Sequence, residues 1–236
     1  LTERARKSRR IDVDAWGEHY GVNPCSEIIL RPRQFCNLTT NIIRPNDTLS
    51  TLCKKVRLSA ILGTIQSTFT NFRYLSPEWR ANCEEERLLG VSLNGIMDNR
   101  YMAGLDYVRN GTCIVDDFVR DGVKVELPET LAILRDVAIE TNRVWADRLG
   151  INQSAAITTI KPEGNNSEMV GCRSGLHGAH APKRYIRTNR ANKVDRLARF
   201  MIDQGVVAED DVSSPDTAWV LSFPVEVPEN AITRHD

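Results

Sequence analysis

Apolar residues recur along this chain at helical spacing in two long stretches. Leu49, Leu52, Val56, Ile61, Ile65, Phe69 and Phe72 follow one another at three- to five-residue steps and predict one amphipathic helix, with Lys54, Lys55 and Arg57 on its other face. Asn46, Asp47 and Thr48 are its N-cap candidates. A second helix is predicted after Pro128, a favourable first helical residue, with Leu131, Leu134, Val137, Thr141, Trp145 and Leu149 on its buried side and Gly150 as its stop. A third is predicted over roughly 193–204, ending at Gly205.

Strand patterns lie between these helices. "LLGVSLNGIMD" (88–98) reads as a buried strand running into a Gly-Asn connection, and "YVRNGTCIV" as a hairpin turning at Asn110-Gly111. "AAITTI" (155–160) is rich in β-branched residues, and "AWVLSFPV" (218–225) is another buried-strand candidate. Arg184, Arg187 and Arg190 alternate with other residues as in a half-exposed strand. Residues 1–20 form a polar approach segment, and 21–46, punctuated by Pro24, Pro32 and Pro45, a loop with short extended pieces. Strands separated by long amphipathic helices predict α/β architecture with parallel pairing, as a barrel or an open sheet.

Composition narrows the function classes. The 236 residues are 41% hydrophobic, and 31 basic side chains balance 31 acidic ones, so charge gives no reason to expect nucleic acid or a membrane surface as partner. No apolar run is long enough to span a bilayer. The six cysteines include no Cys-x-x-Cys pair, which argues against structural zinc and a disulfide scaffold and for the reducing cytosol. His177 and His180 lie in the Gly-rich "GLHGAH" and are read as structural, with no metal expected. Trp79, Trp145 and Trp219 are read as packing residues, and Cys53, Cys83, Cys113 and Cys172 as small buried hydrophobes. The chain begins with Leu inside a charged stretch, and a piece of a longer polypeptide is expected.

Candidate chemistry concentrates in "NPCSEIILRPRQFCNLTT" (23–40). If this stretch is extended, Asn23, Cys25 and Glu27 share a face, bringing an amide, a thiol and a carboxylate into one small volume. Ile28, Ile29 and Leu30 would seat the loop in a core, and a desolvated Glu27 would have a raised pKa and be a stronger base. Three polar residues in five are common, however, and composition alone favours a surface loop with unrelated polar neighbours. "KPEGNNSE" (161–168) leaves a strand through a Gly-containing turn whose free N–H groups suit an anion, or serves as an ordinary connection.

"NPCSE" followed by "FCNLT" resembles the active-site loop of ribonucleotide reductases, above all the adenosylcobalamin-dependent class II enzymes. "RLLGVSLNGIMD", "TTIKPEGNNS" and "SGLHGAHAPKRYIR" resemble that family's later segments in the same order, so the likeness runs from about Gly21 to Arg187. The resemblance implies that residues 1–236 are a C-terminal part of a ten-stranded α/β barrel with a central finger loop and no separate second domain. It implies that Cys25 carries a transient thiyl radical, Glu27 removes the 3′-hydroxyl proton of a ribose, and Asn23 holds the sugar hydroxyls. Cys36 would be one of the two reducing cysteines, its partner lying upstream of Leu1. Pro162, Glu163, Gly164, Asn165, Asn166 and Ser167 would bind the substrate phosphates, with Asn165 standing where the family usually has Thr. The implied cofactor is adenosylcobalamin. The implied partners are a ribonucleoside di- or triphosphate, a thioredoxin-type or other thiol reductant, and the N-terminal half of the barrel. Two alternatives stand beside this: a split or truncated barrel inactive without its other half, and a fragment of a class I large subunit.

Overall fold

The computed structural model describes residues 20–104, 118–120, 123–229 and 231–234, together with the short strand pieces 108–109 and 112–113. The Asn110-Gly111 turn, the approach segment before Tyr20 and the side chain of Cys113 lie outside the described residues. The chain divides into two compact units, Leu1–Gly178 and Ala179–Asp236.

The first unit opens with a small antiparallel hairpin, β1 (Gly21–Val22) and β2 (Ile29–Leu30). Strand β3 (Asn37–Ile42) then leads to helix α1 (Leu49–Gln66), helix α2 (Pro77–Glu86) and strand β4 (Leu89–Asn94). β3 and β4 pair in parallel, from Asn37↔Leu89 to Ile42↔Asn94. All six residues of β4 are buried, as expected of a strand covered on both faces. On the far side of β4 the predicted 155–160 strand does not form as a strand: the segment is joined to β4 by the single parallel bridge Val91↔Thr158 and by N–H donation from Leu89 to Ala156 O and from Val91 to Ile157 O.

After β4 come two short antiparallel pairs, β5 (Val108–Arg109) with β6 (Thr112–Cys113) and β7 (Val119–Arg120) with β8 (Val123–Lys124). Helix α3 (Leu127–Leu149) follows. Its end falls where the sequence puts it: Gly150 takes a left-handed φ of +64° and donates its N–H to the last turn. The core is built from Leu49, Leu52, Val56 and Ala60 of α1, Val91 and Leu93 of β4, and Leu134 and Ala138 of α3, with Ile43, Ile96, Met102, Phe118 and Val125 completing it.

Both helices differ from their sequence patterns in an instructive way. α1 starts at a reciprocal cap, with Thr51 N donating to Thr48 Oγ1 and Thr48 N to Thr51 Oγ1. It stops at Gln66, ahead of Phe69 and Phe72, because the Ser67 and Thr68 hydroxyls bond back to Thr64 O and Ile65 O and close the last turn. The buried stripe of α3 is Thr130, Leu134, Ala138, Thr141, Asn142 and Ala146, whereas Leu131 and Leu149 are exposed. α3 packs on α1 at positions held by small side chains, including Ala60 and Thr64, so small and polar residues take the seam. Asn142 makes it specific, donating from its Nδ2 to Thr64 Oγ1 at 2.9 Å and to Ser154 Oγ at 2.9 Å.

The second unit is a three-stranded antiparallel sheet of order β10-β11-β9, built from β9 (Arg184–Asn192), β10 (Val207–Asp210) and β11 (Ala218–Glu226). Helix α5 (Arg196–Asp203) lies between β9 and β10 in sequence, capped by Asp195, whose carboxylate accepts from Leu197 N. The helix α4 (Gly164–Met169) belongs to the first unit. The architecture is thus mixed α/β, with parallel pairing around β4 and antiparallel pairing in the second unit.

Candidate active site

The cysteine segment is a turn, and the expected extended run does not form. Asn23 and Ile28 close it: Asn23 N donates to Ile28 O at 3.1 Å, and Ile28 N donates to Asn23 Oδ1 at 3.0 Å. Ser26 N donates to Asn23 O, and Ser26 sits at φ +63°, so the chain reverses between Cys25 and Glu27. Asn23 spends its side-chain carbonyl oxygen on this closure, and its amide nitrogen faces the Glu27 carboxylate. Cys25 stands exposed at the tip, whereas the Glu27 side chain is only 3% exposed.

What joins thiol and carboxylate is a residue the sequence reading did not single out. Lys161 Nζ donates to Glu27 Oε1 at 2.9 Å and lies 3.6 Å from Cys25 Sγ. Thr159, two residues earlier on the same face of this segment, donates from Oγ1 to Glu27 O at 3.0 Å. The alternation was available in "AAITTIK": a face carrying Thr159 toward the finger must also carry Lys161. In sequence, Lys161 precedes the Pro-Glu-Gly turn and reads as the first loop residue.

This contact reverses an expectation. Burial pushes the Glu27 carboxyl up, as the sequence suggests, but hydrogen bonding from Lys161, from its own backbone and from the Asn23 amide outweighs it. Glu27 therefore sits below the usual carboxylate range, ionised and a weaker base than an unpartnered buried acid. Lys161 is correspondingly pushed up, first by its hydrogen bond to Glu27. Burial pushes the Cys36 thiol up, and the Glu27 charge adds to that, which puts Cys36 in the same electrostatic neighbourhood just before β3.

The 162–167 loop lies directly beyond Lys161. Gly164 and Asn165 are exposed, and nothing lies within 4 Å of the position a Cβ on Gly164 would take. Glu163 and Ser167 face inward instead. The Glu163 carboxylate accepts from Asn166 Nδ2 at 2.5 Å, and Ser167 Oγ donates to Gly164 O at 2.8 Å. The loop end is tied to the segment just after β3 by Arg44, whose guanidinium donates to Val170 O at 2.6 Å and Gly171 O at 2.8 Å. Pro162 is exposed beside Lys161.

Of the other described cysteines, Cys83 lies beside the Cys36 segment, its Sγ accepting from Phe35 N at 3.2 Å. Cys83 and Cys172 are buried and Cys53 is half-buried. Burial, then the Asp98 charge, pushes the Cys172 thiol up to about 11. Trp79 stacks on Phe35 at 4.6 Å between centroids, and His177 Nδ1 bonds to Ser174 O, both structural contacts. An apolar cleft of about 400 Å³ bordered by Val56, Leu131, Leu134 and Ile160 contains no thiol or carboxylate, whereas the hairpin tip brings both together.

No family model matches the chain. Curated proteins do. The adenosylcobalamin-dependent ribonucleoside-triphosphate reductase of Lactobacillus gasseri is 26% identical over 221 residues, covering 89% of this chain and 28% of the relative. That of Lactobacillus leichmannii is 25% identical over 228 residues, covering 89% and 29%. The chain resembles the adenosylcobalamin-dependent ribonucleotide reductases. It spans less than a third of the length of these relatives. The fold agrees: a crystal structure of a B12-dependent, class II ribonucleotide reductase superposes with a TM-score of 0.65 at 23% identity, covering 92% of this chain and 31% of that one.

Proposed function

We propose that this chain is the part of a class II ribonucleotide reductase that carries the reacting thiol, within a ten-stranded α/β barrel completed by chain outside residues 1–236. The reaction is the reduction of a ribonucleoside triphosphate, the substrate named in the relatives it resembles. The observation that carries this reading is the assembly of Cys25, Glu27 and Lys161 at one hairpin tip, with the Cys36 thiol in the field of Glu27.

Each group has a role that the geometry supports. A Cys25 sulfur radical exchanges a hydrogen atom with the 3′-carbon of ribose, the S–H and activated C–H bonds being close in strength. Glu27 takes the 3′-hydroxyl proton, and the Asn23 amide steadies the sugar hydroxyls. Cys36 and a second thiol supply the electron pair: the 2′-hydroxyl leaves as water, the carbon gains hydrogen, and the two thiols close to a disulfide. A thioredoxin-type or other thiol reductant reopens it. The N–H groups and exposed backbone at Gly164 and Asn165 take the phosphate end, with Pro162, Glu163, Asn166 and Ser167 shaping that loop.

Adenosylcobalamin, if bound, would supply the one-electron chemistry by which the Cys25 thiol gives up its hydrogen atom. The residues present fit that requirement in one respect: Cys25 is exposed at the tip of its turn, where a large group can reach the sulfur. The free state of all five described cysteines is consistent with a reducing cytosol, and no helix among the described residues is long and apolar enough to cross a membrane.

The test is reduction by the full-length protein given adenosylcobalamin, a dithiol and each ribonucleoside triphosphate. Cys25→Ser is expected to abolish deoxynucleotide formation, and Cys36→Ser to hold it to one turnover at most. Multiple turnovers by Cys36→Ser would remove Cys36 as reductant. Undiminished product from Cys25→Ser would overturn the reading.

A further inference from the structure

Two observations about the Glu27 carboxylate have no place in the scheme above. Its Oε1 is engaged by Lys161, while its Oε2 is buried with no hydrogen-bond partner. An ionised oxygen left without a donor away from water is costly, and such atoms mark positions a ligand completes. Lys161, meanwhile, is fixed from behind. Its N–H donates at 2.9 Å to Ser92 Oγ, a fully buried hydroxyl in the middle of β4. Its carbonyl oxygen lies 3.0 Å from the position a Cβ on Gly175 would take, and Gly175 sits at φ +47°. A side chain at 175 would be strained there and would crowd that carbonyl. The backbone of Lys161 is therefore held on both sides, and its ammonium reaches the finger from a set origin.

We propose that Lys161 is the positioning residue of this site: it binds Glu27 through Oε1, presents Oε2 as the free acceptor for a ligand hydroxyl, and spans from the acid to the Cys25 sulfur. The ligand's identity as a ribose rests on the reductase reading; the division of the two carboxylate oxygens rests on geometry alone. The groups that face the carboxylate are Lys161 from the segment bridged to β4, the Asn23 amide from the turn and the Cys36 thiol ahead of β3. The Cys25 thiol faces Lys161. Lys161 is the cation among the groups that bear on Glu27, so its charge offsets the cost of burying the acid.

The test reads Glu27 directly, by carboxyl-13C NMR titration of Glu-labelled protein, with Glu27→Gln to assign the signal. Wild type is expected to titrate below the ordinary glutamate value of about 4.3. Lys161→Met removes both the hydrogen bond and the charge and leaves burial opposed only by the backbone and the Asn23 amide, so its midpoint is expected to rise above that of wild type. Lys161→Arg, which keeps the cation, is expected to bring it back toward wild type. Should Lys161→Met fail to fold, Lys161→Gln keeps a donor without the charge and is expected to raise the midpoint in the same direction. A Glu27 midpoint unchanged in the neutral variants, or raised equally by Arg, overturns the proposal. The titration needs no turnover, so it stands or falls apart from the Cys25→Ser assay. In that assay Lys161→Met is expected to lower kcat more than it raises KM, as a merely structural loss would not.

Discussion

Gly90 in β4 is the sharpest packing constraint near the site. A Cβ added there would lie 2.3 Å from Leu38 Cδ2, 3.2 Å from Thr159 Cγ2 and 3.3 Å from Ile28 Cδ1. Carbon atoms pack best at about 3.5–4.0 Å, so Leu38 must retreat by more than about 1 Å while the other two yield by tenths. These three side chains come from β3, the segment bearing Lys161 and the finger bearing Glu27. Gly90→Ala in a strand would ordinarily stabilise, by about 0.5–1 kcal/mol. Overpacking at a filled site costs about 1–3 kcal/mol and outweighs that gain. The net expectation is a loss of about 1–2 kcal/mol, read as a lower urea midpoint at unchanged m-value. Leu38→Ala in the Gly90→Ala background vacates the worst contact, and the two changes should couple by at least about 0.5 kcal/mol in a double-mutant cycle. A Gly90→Ala midpoint at or above wild type, or strict additivity with Leu38→Ala, would refute the close approach of these segments.

Other outcomes follow from the same geometry. Because the folded Glu27 pKa is depressed, its pairing stabilises the fold above the unfolded carboxylate pKa, and that stability is lost as pH falls through the folded value; the stability gap between wild type and Glu27→Gln should therefore close in acid. Arg44→Ala frees the carbonyls of Val170 and Gly171, and should cost about 1–3 kcal/mol and speed hydrogen exchange at 164–172. Iodoacetamide at pH 8 should label exposed Cys25 first and Cys172 last, read by peptide mass spectrometry; labelling of Cys172 ahead of Cys25 would contradict the burial that holds its thiol near 11.

Much of the scaffold could be read from residue patterns, and the failures share a cause. β4 and the stop at Gly150 were legible because a continuous apolar run and a helix-ending glycine are local signals. The seam of α3 was not, because the pattern favours large residues such as Leu131, whereas close helix contact selects Ala138, Asn142 and Ala146. Cys25 and Glu27 stood out through their motif, but their convergence was assigned to an extended strand when a turn at Ser26 produces it. The partnership of Lys161 with them is not legible in the sequence, because it depends on the 155–161 segment lying beside β4, far from Cys25 and Glu27 along the chain. The sign of the Glu27 shift depends on that pairing and so was equally hidden.

The bond from Lys161 N–H to Ser92 Oγ has a consequence for how this sequence can vary. A hydroxyl sealed in the middle of a sheet fixes the root of a side chain whose cation works at the rim. Substitutions among the interior neighbours of Ser92, which never meet a ligand, would thereby move the cation at the rim as surely as changes beside it.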